Sequence, residues 1–134
     1  MRKEQEQVRE FMLKAGQECP VKPTLPPKSI CNLRYSLIDE ELTELWEAFQ
    51  SRNIIETADA ITDLLVVVLG TAVACGIDIQ PCWDEVHRSN MTKFIDGHRR
   101  EDGKWVKGPS YSPANLQPIL TEQLNSSPDS THSA

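Results

Sequence analysis

The sequence predicts an all-α fold, in which a helical bundle is followed by a non-helical C-terminal arm. Apolar residues recur at helical spacing in four segments of the chain. Four prolines between residues 20 and 27 separate the first segment from the second, because proline interrupts a helix. A chain of 134 residues is long enough for one domain with a buried core.

Apolar stripes predict the first two helices. In the first, residues 3–17, one side consists of Val8, Phe11, Met12 and Ala15. The proline-rich segment that follows favours an extended connection. In the second helix, about residues 30–50, the side chains that follow the helical period are Ile38, Leu42, Leu45, Trp46 and Phe49.

Capping and turn signals predict the remaining elements. Asn53 is placed to cap a third helix over 54–75, which Gly76 ends. A fourth helix is predicted over 79–94 and is followed by a charged segment between two Asp-Gly turns. Residues 110–120 are expected to be extended and ordered by docking on the bundle.

Composition excludes several function classes. The net charge is −6 and no long basic run exists, so nucleic acid is not an expected partner. The four cysteines form no Cys-x-x-Cys pair, which suits reduced thiols in a cytoplasm. The N-terminus lacks the apolar core of a signal peptide. The apolar run 64–77 is shorter than the roughly 20 residues of a membrane span, so no membrane partner is expected.

Seven carboxylates lie between residues 40 and 65, on the second and third predicted helices. Glu41 and Glu44 share a helix face, and so do Glu56, Asp59 and Asp63. A short loop makes the two helices antiparallel neighbours, so their acidic faces can meet across a groove. A solvated acidic surface is one interpretation, and Glu56 also fits a capping-box position.

A divalent-cation site is the second interpretation of these acids. Like charges at helical spacing repel by a few tenths of a kcal/mol per pair, and Arg52 is the single basic residue between 40 and 65. Hard oxygen ligands suit Mg²⁺ or Mn²⁺. A di-iron carboxylate bundle needs Glu-x-x-His steps, and the nearest sequence, Asp84-x-x-His87, is one pair without a mate.

The order Glu40-Glu41-x-x-Glu44 and then Glu56-x-x-Asp59 resembles the EExxE…ExxD signature of the all-α nucleoside triphosphate pyrophosphatases. The segments EVHRSNMTKF (85–94) and EDGKWVKGPSYSPANL (101–116) resemble the MazG-like branch near the phosphoribosyl-ATP pyrophosphatases. The resemblance covers about residues 5–118. It implies a four-to-five-helix MazG-like domain over 1–118, a homodimer or homotetramer, and a cytoplasmic location in a bacterium or a phage-infected host. The polar segment 119–134 is expected to be a disordered tail.

The resemblance also implies roles for individual residues. The implied ligands of roughly two to three Mg²⁺ or Mn²⁺ ions are Glu41, Glu44, Glu56 and Asp59. The implied catalytic residues are Glu40, Glu41 and Glu44, and Glu40 is the one expected to orient or deprotonate water. Asp63 lies outside the four-residue set. Its expected role is either to bind a metal or to hold a ligand-bound water. The implied phosphate-binding residues are Asn90 and Lys93 of an NxxK motif, with Lys104 and Lys107 in the arm. The candidates for base or sugar binding are Phe11 and Tyr111.

The implied reaction is (d)NTP + H₂O → (d)NMP + pyrophosphate, with a purine substrate such as dGTP or GTP favoured. Two alternatives are phosphoribosyl-ATP hydrolysis in histidine synthesis and a non-catalytic, nucleotide-binding helical assembly protein. Lys104 and Lys107 flank Trp105 after an Asp-Gly turn, so the arm is expected to act as a lid over the phosphates.

Overall fold

A computed structural model describes residues 1–126, and these form an all-α bundle. The four long helices predicted from the sequence are confirmed: α1 (Arg2–Lys14), α2 (Lys28–Ser51), α3 (Ile54–Ala74) and α4 (Ile79–Met91). Three short elements and a last helix follow: α5 (Lys93–Asp96), β1 (His98–Arg99), β2 (Trp105–Val106) and α6 (Gln117–Asn125). The two strands pair antiparallel, with His98 opposite Val106.

A tight connection joins α2 and α3 into a helical hairpin. Arg52 ends α2 in the left-handed conformation, with φ 57°. The side chain of Asn53 accepts hydrogen bonds from the backbone N–H groups of Ile55 and Glu56, at 3.0 and 3.1 Å, and thereby caps α3 as predicted. Because the reversal takes two residues, α2 and α3 pack side by side along most of their lengths.

The apolar core lies where α1 crosses the C-terminal half of α3. It consists of Val8, Met12, Leu69, Val73 and Ala74. The predicted apolar side of α1 is only partly correct, since Phe11 is 66 % exposed. α3 is long and apolar enough to span a membrane by length and composition, but it packs against α1 and α2 as the core helix of a bundle does.

The region after α4 differs from the prediction. The fourth helix ends at Met91 instead of continuing to 94, and a strand pair forms beyond it. Residues 117–125 are helical where an extended segment and then a polar tail are expected. This helix docks on the start of α4, because the Gln123 side chain accepts from Asp78 N and donates to Asp78 O, both at 3.0 Å. The predicted tail beyond residue 126 lies outside the described residues.

Candidate active site

The face of α2 that packs against α3 carries the acids. Arg34 and Ala48 are buried on this face, and Glu41 lies between them at helical spacing, half-buried. The apolar stripe of α2 points outward within the chain, with Leu42, Trp46 and Phe49 all about half exposed or more. As the sequence predicted, the acidic faces of the two helices meet, since carboxylates of α2 and α3 lie together.

Three carboxylates from the two helices form a cluster. Glu41 and Glu44 stand one turn apart on α2, and Asp63 faces them from α3. One oxygen from each carboxylate lies within 4.8 Å of the other two. Asp63, which the sequence left outside the ligand set, is therefore the residue of α3 that joins Glu41 and Glu44.

Glu41 is electrostatically unfavourable in this position. Its Oε2 atom is buried and has no hydrogen-bond partner among residues 1–126. Burial raises the pKa of the Glu41 carboxyl, and the nearby carboxylates of Glu44, Asp63 and Glu40 raise it further. A buried acceptor without a donor costs free energy, and a cation in the cluster would remove that cost.

The donor set fits a hard divalent cation. All three ligand candidates are carboxylates, the oxygen donors that Mg²⁺ and Mn²⁺ prefer. Around one octahedral Mg²⁺, adjacent ligand oxygens lie about 3.0 Å apart and opposite ones about 4.2 Å apart, so the three oxygens must come closer together than their 4.8 Å limit to bind one ion. Rotation of the exposed Glu44 side chain can provide that contraction.

The other predicted ligands line a neighbouring groove of about 400 Å³. Its lining residues are Glu44, Glu47, Ala48, Ser51, Glu56, Asp59 and Ala60. Ser51 Oγ donates to Glu56 Oε2 at 3.3 Å, which orients one predicted ligand towards the α2–α3 turn. Glu44 belongs to both the cluster and the groove, so the two acidic sets are continuous. Glu40 is exposed on α2 beside Glu41.

A second group of candidate residues surrounds Tyr111. The ammonium nitrogen of Lys107 lies 4.6 Å from the centroid of the Tyr111 ring, and that of Lys93 lies 5.9 Å from it. Ser89, 2 % exposed, donates from Oγ to the Tyr111 hydroxyl at 3.3 Å. No role for Ser89 was predicted, since a single serine in an amphipathic helix carries no distinctive pattern.

Hydrogen bonds fix the arm to α4 and α5. The Asp96 carboxylate accepts from the backbone N–H of Ser110, at 3.0 Å, and from its hydroxyl, at 2.6 Å. Trp105 Nε1 donates to the backbone oxygen of Lys93 at 2.7 Å, and the Trp105 ring packs on the Phe94 ring at a tilt of 44°, with centroids 5.0 Å apart. These contacts hold the arm in place, which favours a fixed wall over the predicted lid.

The remaining predicted residues stand apart from both clusters. Asn90 is exposed on α4 and Lys104 is exposed in the hairpin, and neither side chain makes a hydrogen bond within residues 1–126. Phe11 is exposed on α1. Across the same residues, no hydrogen bond or ion pair joins the Tyr111 region to the acids of α2 and α3.

The profile of the phosphoribosyl-ATP pyrophosphohydrolase family matches residues 8–90, which is more than half of the chain. The chain belongs to the phosphoribosyl-ATP pyrophosphohydrolase family. This family lies within the all-α NTP pyrophosphatase superfamily, as the sequence motifs predict, and the chain is a pyrophosphohydrolase that acts on a phosphoanhydride bond. No curated protein matches the chain.

The family match covers the acids and stops short of the arm. It includes α2, α3 and most of α4, and hence Glu41, Glu44 and Asp63. Lys93, Lys107 and Tyr111 lie beyond its end at residue 90. The family is typically dependent on a divalent metal, in agreement with the carboxylate cluster between α2 and α3.

Proposed function

We propose that the protein is a Mg²⁺- or Mn²⁺-dependent hydrolase that converts a purine nucleoside triphosphate, with dGTP the first candidate, to the monophosphate and pyrophosphate. The observation that carries this proposal is the cluster of Glu41, Glu44 and Asp63, in which one buried carboxylate oxygen has no hydrogen-bond partner in the described part of the chain. An acidic cluster alone would repel a polyphosphate, whereas a cluster loaded with cations would attract it.

Each acid has a separate task in this proposal. Glu41, Glu44 and Asp63 would hold one cation, and the groove acids Glu56 and Asp59 would hold a second together with Glu44. When bound, such ions supply Lewis acidity and a water of lowered pKa. Glu40, exposed beside the cluster, would orient that water or accept its proton.

Lys93 and Lys107 would bind the departing pyrophosphate. Their ammonium groups lie beside the same aromatic ring. Positive charge held where negative charge develops lowers the barrier for breaking the phosphoanhydride bond. Asn90 and Lys104, each exposed and three residues before one of these lysines in the chain, would contribute further phosphate contacts.

Phosphoribosyl-ATP is the second candidate substrate, and the family match favours it. The purine triphosphate proposal is supported by the resemblance of the 85–94 and 101–116 segments to the MazG-like branch. A panel of the common NTPs, the dNTPs and phosphoribosyl-ATP, with pyrophosphate and monophosphate both quantified, tests the choice. The highest kcat/KM on dGTP would support the proposal, and the highest on phosphoribosyl-ATP or on a pyrimidine would overturn it.

The enzyme is proposed to be a cytoplasmic homodimer or larger homo-oligomer. Leu42, Trp46 and Phe49 of α2 and Leu65 and Val68 of α3 are all at least 46 % exposed within one chain. Apolar residues over two neighbouring helices form a surface that a second copy can cover. The four cysteines are free, which suits the reducing cytoplasm.

A further inference from the structure

The ring of Tyr111 lies near Lys93 of α5 and Lys107 of the arm, and its hydroxyl bonds to the buried Ser89. The Lys107 and Lys93 nitrogens lie 4.6 and 5.9 Å from its centroid. Two ammonium groups repel each other in the absence of an anion, and the negative face of an aromatic ring offsets part of that repulsion. The ring thereby allows two flexible, positively charged side chains to remain near one point.

The backbone on both sides of Tyr111 is anchored. Ser110 is held by the Asp96 carboxylate, and the backbone N–H of Ser112 donates to Thr92 Oγ1 at 2.9 Å. The Tyr111 N–H itself donates to Gly108 O at 3.1 Å. At Gly108 a Cβ atom would collide with the Asp96 carbonyl, so this close approach of the arm to α5 requires glycine. The hydroxyl end of the ring is held as well, by Ser89.

We infer that Tyr111 is a positioning residue, whose fixed ring holds Lys93 and Lys107 together as a subsite for the pyrophosphate portion of the substrate. This inference rests on the proposed function and replaces the base-stacking role predicted for Tyr111. A base-stacking residue needs a free ring face, and here two ammonium groups occupy the space next to the ring while its hydroxyl bonds to a buried serine.

Inorganic pyrophosphate is the probe that separates the two roles, because it has phosphates and no base. Its dissociation constant in the presence of Mg²⁺ is measured by titration calorimetry, which needs no turnover. Tyr111→Leu removes the aromatic face and should weaken pyrophosphate binding about five- to tenfold. Tyr111→Phe keeps the face and should recover most of the lost affinity, although it lacks the bond to Ser89.

Two further variants complete the experiment. Tyr35→Leu makes the same exchange at a tyrosine that is 73 % exposed on α2, and it should not change the affinity for pyrophosphate. In a Lys107→Ala background, Tyr111→Leu should have a smaller effect than in the wild type, because the two residues act through one contact. If Tyr111→Leu fails to fold, Tyr111→Met removes the aromatic face with a more adaptable side chain, and its effect should likewise be smaller in the Lys107→Ala background.

The outcomes distinguish this inference from the proposed function. Unchanged pyrophosphate affinity in Tyr111→Leu, or weaker binding of nucleotides alone, would overturn the positioning role and leave the proposed reaction intact. Pyrophosphate binding that depends on Tyr111, in an enzyme that cleaves none of the triphosphates on the panel, would support the subsite and overturn the proposed reaction.

Discussion

Glu41 of α2 and Asp63 of α3 belong to one acidic cluster, with one carboxylate oxygen of each residue within 4.8 Å of the other. The Glu41 carboxylate also has a buried oxygen that finds no hydrogen-bond partner within residues 1–126. Placing like charges together at a helix–helix contact costs stability. Because this cost is found where α2 and α3 pack against each other, a function for these acids is favoured over a structural role.

Glu41→Gln should abolish activity without destabilising the metal-free protein. Glutamine keeps the shape of the side chain and removes a charge that Glu44 and Asp63 oppose, so the Tm in EDTA should stay the same or rise. kcat/KM should fall at least about 100-fold, which corresponds to about 2.7 kcal/mol of transition-state stabilisation. Pyrophosphate release and differential scanning calorimetry measure the two effects.

The matched control is Asp39→Asn, an exchange of an exposed acid on the same helix outside the cluster. Its kinetics should stay within twofold of wild type. Normal turnover by Glu41→Gln would contradict the assignment of the cluster as the metal site.

Asp63 and Asp59 should differ in their effects on metal binding. Asp63 joins the cluster with Glu41 and Glu44, whereas Asp59 lines the groove next to it. In a Mg²⁺ titration followed by Tm, Asp63→Asn should lose the tightest binding step, and Asp59→Asn should retain it and lose a weaker one. The reverse order would instead support Glu56 and Asp59 as the principal ligands on α3.

Metal removal should inactivate the enzyme reversibly. Activity should disappear in EDTA and return with Mg²⁺ or Mn²⁺, because three carboxylates without a cation oppose a polyphosphate. Zn²⁺ should restore it poorly, since neither histidine nor cysteine belongs to the cluster. Full turnover in chelator after extensive dialysis would refute a metal-dependent reaction.

The sequence predicted the helices well because each depends on local information. The Asn53 cap, the proline-rich break and the apolar periods are signals within a few residues, and the structure confirms the helices they predict. The packing face of α2 depends on which neighbour covers it. Its apolar stripe is largely exposed within one chain, and the apolar period alone does not tell whether a neighbour inside or outside the chain covers that stripe.

The site was predictable to the extent that it follows helical spacing. Glu41 and Glu44 were identified from one turn of α2, but the partner on α3 depends on how far the two helices slide past each other. That register brings Asp63 into the cluster and leaves Glu56 and Asp59 in the groove. The contacts of Tyr111 with Ser89 and the lysines link separate segments, and no spacing rule predicts them.

Glu85 should make the attachment of the arm sensitive to acid. Hydrogen bonds from Arg88, and then one from the Asn115 N–H at 2.8 Å, lower the pKa of Glu85 from 4.5 to about 2. Because the pKa of the Glu85 carboxyl is lower in the folded state than its ordinary value, its ionised form stabilises the folded protein above pH 4.5. This stabilisation is lost as the pH falls towards 2. The Tm of Glu85→Gln should therefore be lower than that of wild type at pH 7, and the difference should close between these pH values.

The control for this prediction is Glu101→Gln, since Glu101 makes no side-chain hydrogen bond or ion pair within residues 1–126. Its Tm should follow wild type at every pH. A gap between Glu85→Gln and wild type that stays constant down to pH 2 would show that the substitution acts through packing and not through the carboxylate charge.

The exposed apolar surface of α2 and α3 should mediate self-association. Trp46 is 63 % exposed and Leu65 is 48 % exposed, on the two helices that also carry the acidic cluster. A charge on this surface opposes its burial against a second copy, so Leu65→Glu should shift the protein towards monomer in light scattering at micromolar concentration. Far-ultraviolet circular dichroism should show unchanged helix content, because the side chain lies outside the core of the chain.

Leu25→Glu, at a position 82 % exposed in the proline-rich connection, is the matched control and should keep the oligomeric state of wild type. A wild-type protein that remains monomeric at the same concentration would contradict the proposed assembly, and the exposed stripe would then need another partner.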